Sequence, residues 1–323
     1  MLDRICIPVQ AELAQVEDVL AAEISSGMET MDSIARYAIK NGGKRIRPTI
    51  LLLAARVTGA DGGDIPRLAA AVEMFHTASL LHDDVVDDAQ VRRGQSSAKA
   101  KWGNQVSVLV GDLLFCRASK ILVEHGDRRL MQAVNEAVVA TTEGELLEIE
   151  HQNDITLDAD TYMRIIRGKT AALFAVAARA GAIAAGVERS FEDALGMFGL
   201  AVGEAFQLAD DALDYVADEA RFGKAAGTDL KEGKLTYPLI VALAKAGAEE
   251  RQAIRSALIA GHLTRERFRE VASIIERHGG ISAALDLARQ IAGGAKKHLE
   301  LFKPSIERDA LISIADYAVE RDE

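Results

Sequence analysis

Apolar residues recur every three or four positions along nearly the whole chain, and this period, more than any other feature, limits what it can fold into. Val9, Leu13, Val16, Leu20 and Ile24 form one such stripe, the spacing that keeps side chains on one face of an α-helix. Ala- and Leu-rich stretches of the same period cover residues 67–81, 106–123, 130–149, 171–184 and 191–216, and later 235–245, 251–259, 268–277, 283–301 and 310–320. Alternating runs rich in Val, Ile, Thr and aromatics are absent, so the sequence predicts an all-α fold with no strands. Ser190-Phe191-Glu192-Asp193 reads as a capping box opening a helix.

The 323 residues allow two domains. With only five prolines and no linker-like run, one domain spanning 1–323 is the expectation. Apolar residues make up 49% of the chain, which gives that domain ample core. A net charge of −11 and the lack of any Lys/Arg block exclude a nucleic-acid surface. Cys6 and Cys116 make neither a disulfide framework nor a metal spacing. The N-terminus has no signal-peptide pattern, and no apolar run approaches the ~20 residues that span a bilayer. A cytoplasmic protein is expected.

Two acidic stretches stand out, Asp83-Asp84-Val85-Val86-Asp87 and Asp210-Asp211-Ala212-Leu213-Asp214. In each, the acids at i, i+1 and i+4 crowd one side of a helix, where like charges repel. Both are embedded in apolar sequence, and partly buried carboxylates need a counter-charge. A hard divalent cation such as Mg²⁺, held by carboxylates and substrate phosphates, supplies it. One such stretch could be a solvated acidic face. Two copies, far apart in the chain, read better as two walls of one metal–phosphate site.

Cations and polar groups cluster near these acids in sequence. Gly42-Gly43-Lys44-Arg45-Ile46-Arg47-Pro48 interrupts the helical period with a tight turn, and Pro48 suits the first turn of a new helix. Its three cations beside free helical N–H groups suit a diphosphate. His76 lies two turns before Asp83 on the same face, and Arg92-Arg93 follow the acids as a phosphate clamp. Arg167-Gly168-Lys169-Thr170 offers a cation and a hydroxyl at a helix start, and Gln207 stands one turn before Asp210 and Asp211. Lys224, Asp229 and Lys234 sit in a Gly- and charge-rich loop that either stays solvated or closes over a ligand as a lid.

In this order, these segments closely resemble the trans-isoprenyl diphosphate synthases (polyprenyl synthetases), over residues 42–238. Asn104 to Asp112 also looks like the family's helix facing the first acidic motif, and the two ends of the chain resemble the bacterial octaprenyl diphosphate synthases. The resemblance implies an antiparallel helical bundle around a deep central cavity, usually a homodimer. It implies that Asp83, Asp84, Asp87, Asp210, Asp211 and Asp214 bind about three Mg²⁺ ions with the substrate diphosphate. Arg92, Lys169, Thr170, Gln207, Lys224 and Lys234 would contact an allylic diphosphate such as farnesyl diphosphate. Lys44, Arg47, His76 and Arg93 would hold isopentenyl diphosphate, with Arg45 outside the usual contacts. Lys169 and Lys224 join the six acids as the expected catalytic set.

The residue types suit that chemistry. Diphosphate leaving an allylic carbon gathers negative charge that metals and fixed cations stabilise, and an Ala/Leu/Val-lined cavity keeps water out. Short-chain members of the family carry a bulky residue four or five positions before the first motif. This chain has Ala78 and Ser79 there, facing Phe115/Cys116, Ser119 and Leu122/Val123 of the next helix. The floor is therefore expected deep, near Leu122, and the product long, about octaprenyl and suited to a quinone side chain. Transient membrane contact for product release, with the protein at most peripheral to the bilayer, follows from so oily a product. A shorter farnesyl- or geranylgeranyl-type product is the alternative. A terpene cyclase is disfavoured by the second D-D-x-x-D and by only 5% aromatics, and a non-catalytic subunit by six intact acids.

Overall fold

The computed structural model describes residues 1–40, 43–60, 62–92, 94–216, 227–259 and 263–320. Its helices follow as α1 (Leu2–Cys6), α2 (Gln10–Glu23), α3 (Glu29–Lys40), α4 (Ile46–Val57), α5 (Ile65–Val86), α6 (Ala98–Trp102), α7 (Asn104–His125) and α8 (Arg128–Glu150). Then come α9 (Ala159–Ile166), α10 (Ala172–Ala184), α11 (Arg189–Leu213), α12 (Thr228–Lys231) and α13 (Tyr237–Lys245). The last are α14 (Ala248–Ile259), α15 (Arg265–Arg277), α16 (Gly280–Ala295) and α17 (Ile306–Glu320). The fold is all-α, as the sequence predicts. No described helix is long and apolar enough to cross a membrane.

Three local expectations are corrected. A two-rung antiparallel hairpin, β1 (Val91–Arg92) with β2 (Gln95–Ser96), departs from the no-strand reading. Strands of two residues are too short to show a period. Gly94 at φ +76° makes the turn, a backbone region that suits glycine. Ser190 is not a cap. Helix α11 starts one residue earlier, and Glu192 is buried against Arg129 instead. Residues Arg167–Ala171 form a π-turn joining α9 to α10, so Lys169 and Thr170 lie inside a helical run and not at its start.

The chain divides into two compact units. The first holds Met1–Ala137, Leu173–Gly199 and His298–Ile314. Its α4 is buried from Pro48 to Ala55, as befits a helix apolar on every side. Helix α10 presses close on α4, because a side-chain carbon at Gly181 would stand 2.4 Å from the Leu51 carbonyl oxygen. Helix α5 packs along α7, with Phe75 and Phe115 edge to face at 5.0 Å, a favoured aromatic geometry.

The second unit holds Val138–Ala172, Leu200–Lys297 and Ala315–Glu323. Helix α13 packs on α15 and α16 around buried Leu239, Phe268 and Ile275. The π-turn meets α8 glycine to glycine: a side-chain carbon on Gly168 would lie 2.5 Å from the Ala140 carbonyl oxygen and 3.0 Å from Gly144 Cα. That close approach brings Lys169 over the acids of α8.

Candidate active site

Both acidic motifs occupy the last turn of a long helix. Asp83 and Asp84 close α5, with Asp87 as its C-cap; Asp210 and Asp211 close α11, with Asp214 just beyond. The ends match in detail, since Asp87 N–H donates to the Asp83 carbonyl at 2.8 Å and Asp214 N–H to that of Asp210 at 3.1 Å. A helix C-terminus carries the negative end of the backbone dipole. Carboxylates are disfavoured there, and a cation is welcome.

In each motif the middle acid is the deepest, with Asp84 3% and Asp211 4% exposed. In the first unit, Asp84 accepts from Arg92 Nε at 2.5 Å, because the hairpin folds Arg92 back onto α5. Asp83 and Asp87 are half-buried. Asp88, left-handed at φ +52°, turns outward to Lys99. A pocket beside this end of α5 is lined by Tyr37, Thr77, Leu81, Asp84, Arg92 and Ser97. His76 is buried two turns earlier on α5.

The basic turn also lies in the first unit. Arg45, left-handed at φ +53°, is committed inward: Nε donates to Glu17 at 2.6 Å, Nη1 to buried Glu73 at 2.9 Å and Nη2 to the Ile39 carbonyl at 2.9 Å. Lys44 is exposed. The Arg47 guanidinium lies 4.5 Å over the Phe174 ring, a cation–π contact. Gly42, Arg93 and Lys224 lie outside the described residues.

In the second unit, Lys169, Thr170, Gln207, Asp211 and Lys234 line one pocket. Thr170 Oγ1 donates to Gln207 Oε1 at 2.7 Å, and Gln207 Nε2 donates to Asp211 Oδ1 at 2.6 Å. Three further residues line the same pocket, and of these Tyr162 and Glu148 do not stand out as site residues in the sequence. Tyr162 donates to Asp211 Oδ2 at 2.5 Å, Glu148 pairs with Lys169 and Lys234, and Asp229 N–H donates to Asp214 Oδ2 at 3.2 Å. Of Tyr162 and Glu148, only Glu148 left a sequence signal, as an acid three residues after Glu145 in a helical stretch.

Charge is stored in this pocket. Burial pushes the Asp211 carboxyl up to about 7, against the pull of Tyr162 and Gln207, with Asp210 and Glu148 adding to the rise. Burial likewise lifts Asp214 to about 6, against N–H donation from Asp229 and Thr228. Asp229 is driven well above the usual range by burial and by Asp214 and Asp211. Burial would also raise Glu148, yet Lys169 and Lys234 override it and hold Glu148 low. Lys169 is depressed by burial but ends above its ordinary value through Glu148 and Glu145.

The residues expected to limit product length fall into two groups. Ala78 is buried, Ser79 half-buried, and on α7 Phe115 and Ser119 are half-buried and Leu122 buried. Cys116 and Val123, expected on that same side, are exposed. Two helical turns apart, they share the outer face of α7 with Leu109.

The family profile for polyprenyl synthetases matches residues 28–275. Octaprenyl diphosphate synthase of Escherichia coli is 39% identical over 96% of this chain and 96% of its own. A short chain isoprenyl diphosphate synthase of Methanothermobacter thermautotrophicus is 37% identical over 91% of each. The crystal structure of a polyprenyl synthase from Caulobacter crescentus, complexed with calcium and isoprenyl diphosphate, superposes with a TM-score of 0.95 at 41% identity, covering 100% of this chain and 98% of that one. The chain therefore belongs to the polyprenyl synthetase family and is a polyprenyl diphosphate synthase, a prenyltransferase of isoprenoid biosynthesis.

Proposed function

We propose that this enzyme extends an allylic diphosphate, such as farnesyl diphosphate, with isopentenyl diphosphate to a long all-trans product of about octaprenyl length, suited to a quinone side chain. The observation that carries the length is on α5. Four and five residues before Asp83 stand only Ser79 and Ala78, small side chains at positions where a bulky one would set a shallow floor, which supports the long-chain reading. Extraction and sizing of the products made from both diphosphates tests it. Termination at C15 or C20 overturns the long-chain reading. A shorter product is the second reading, favoured by the likeness to the short chain isoprenyl diphosphate synthase of Methanothermobacter thermautotrophicus.

The donor set fits divalent cations, taken as about three Mg²⁺. Hard carboxylates crowd helix C-termini, and burial raises the Asp211 and Asp214 carboxyls, a cost that a bound cation would offset. Among the described residues no three acidic, histidine or cysteine side chains form a ready-made cage, which suits ions that take part of their ligands from substrate phosphates. Asp83, Asp84, Asp87, Asp210, Asp211 and Asp214 would hold them. When bound, such ions neutralise the negative charge that grows on the departing diphosphate. Lys169, Lys224, Lys234, Thr170, Gln207 and Arg92 bind that allylic diphosphate. Lys44, Arg47, His76 and Arg93 bind isopentenyl diphosphate. Asp83→Ala and Asp210→Ala, made singly, should each abolish condensation.

A homodimer is part of this reading. Leu109 and Val123 are 61% and 66% exposed. They give the outer face of α7 an apolar surface that a second copy would cover. Light scattering of the purified protein decides it, and a monomer at micromolar concentration refutes it.

A further inference from the structure

Two ammonium groups share one oxygen atom in the second unit. Glu148 Oε2 lies 2.5 Å from Lys169 Nζ and 3.4 Å from Lys234 Nζ. Each lysine has a second acid of its own, Glu145 at 2.7 Å from Lys169 and Glu232 at 2.8 Å from Lys234. Glu145, Glu148 and Glu232 thus face the two ammoniums. Glu148 is the member common to both lysines.

Two cations drawn this close repel unless an anion stands between them. A diphosphate, with oxygens on two adjacent phosphorus atoms, can take that anion's place. We propose that Glu148 is a positioning residue that competes with diphosphate: it gathers Lys169 and Lys234 in the empty site, releases them to the entering diphosphate, and takes them back as diphosphate leaves. This rests on the reading of those two lysines as diphosphate-binding. Its importance grows with product length, because inorganic diphosphate must depart after every added unit. An internal anion lets it go while the two half-buried ammoniums keep an acceptor common to both.

Inhibition by inorganic diphosphate, together with turnover, tests the proposal in the full-length enzyme with Mg²⁺. Glu148→Gln keeps the shape, and each lysine keeps one acid. Its inhibition constant for inorganic diphosphate should fall about tenfold, and kcat should fall with KM for the allylic diphosphate. Glu148→Asp, which keeps the charge on a shorter arm, should fall part of the way and covers the case that the Gln variant does not fold. An unchanged or higher inhibition constant in whichever of these variants folds overturns the proposal. Lys169→Ala and Lys234→Ala should both weaken inhibition. If they do not, the reading of the lysines has failed, which is a separate result from failure of the Glu148 role.

Discussion

Tyr162 donates its phenolic hydrogen to Oδ2 of Asp211 at 2.5 Å, while Gln207 donates to the other oxygen at 2.6 Å. The middle acid of the second motif is therefore oriented through both its oxygens, by one side chain distant in sequence and one a single helical turn away. Tyr162→Phe should leave the fold intact but free one oxygen of a buried carboxylate. Losing a hydrogen bond to a charged group costs about 1.5–3 kcal/mol. The Mg²⁺ concentration giving half-maximal activity should accordingly rise about tenfold or more. An unchanged Mg²⁺ titration would reduce Tyr162 to packing.

The raised carboxyls predict an unusual dependence of stability on pH. With Asp211 at about 7 and Asp214 at about 6, the folded, metal-free protein keeps protons that the unfolded chain gives up near pH 4. Folding then binds protons between those limits, so stability falls as pH rises from about 4 to 7 and levels off above. Thermal unfolding in chelator should show this decline. Asp211→Asn should flatten it and raise stability at pH 8, while removing activity. A wild-type melting temperature that rises across the same range would contradict the assignment.

The neighbouring cations Lys44 and Arg45 should behave as opposites. Arg45 is locked to Glu17 and to Glu73, which is 2% exposed. Arg45→Met takes a guanidinium from that buried carboxylate, and losing a hydrogen bond to a charged group costs about 1.5–3 kcal/mol, read by urea unfolding. Exposed Lys44→Ala should leave stability unchanged and raise KM for isopentenyl diphosphate. Equal stability losses in the two variants would erase the distinction.

Ala78→Phe should shorten the product without abolishing turnover, at about 1–3 kcal/mol of overpacking in the α5 core. Chromatography of the dephosphorylated products reads the outcome, and an unchanged length distribution takes Ala78 out of the pocket wall.

Both acidic motifs were legible because their meaning is local: i, i+1 and i+4 on one helix need no knowledge of the partner. Most long helices were legible for the same reason; α3, α6, α9 and α12 were not, although the cap of α9 was there to be read in Asp158, a side chain that accepts from Thr161 N–H at 2.7 Å. Tyr162 and Glu148 were not legible as site residues. Their importance lies in contacts with Asp211, Lys169 and Lys234, which stand many helical turns or whole helices away along the chain, and no periodicity records such pairings. The hidden job of Arg45 has the same cause, since its partners Glu17 and Glu73 belong to two other helices.

The wide turn at Arg167–Ala171 makes this stretch sensitive to length as well as to composition. A π-turn spends one more residue than the regular helix would for the same advance. Excising a single amino acid here would let the helix relax into even winding and swing Lys169 away from Glu145 and Glu148, with every charged group still present in the chain. Activity at this spot can be lost through spacing alone.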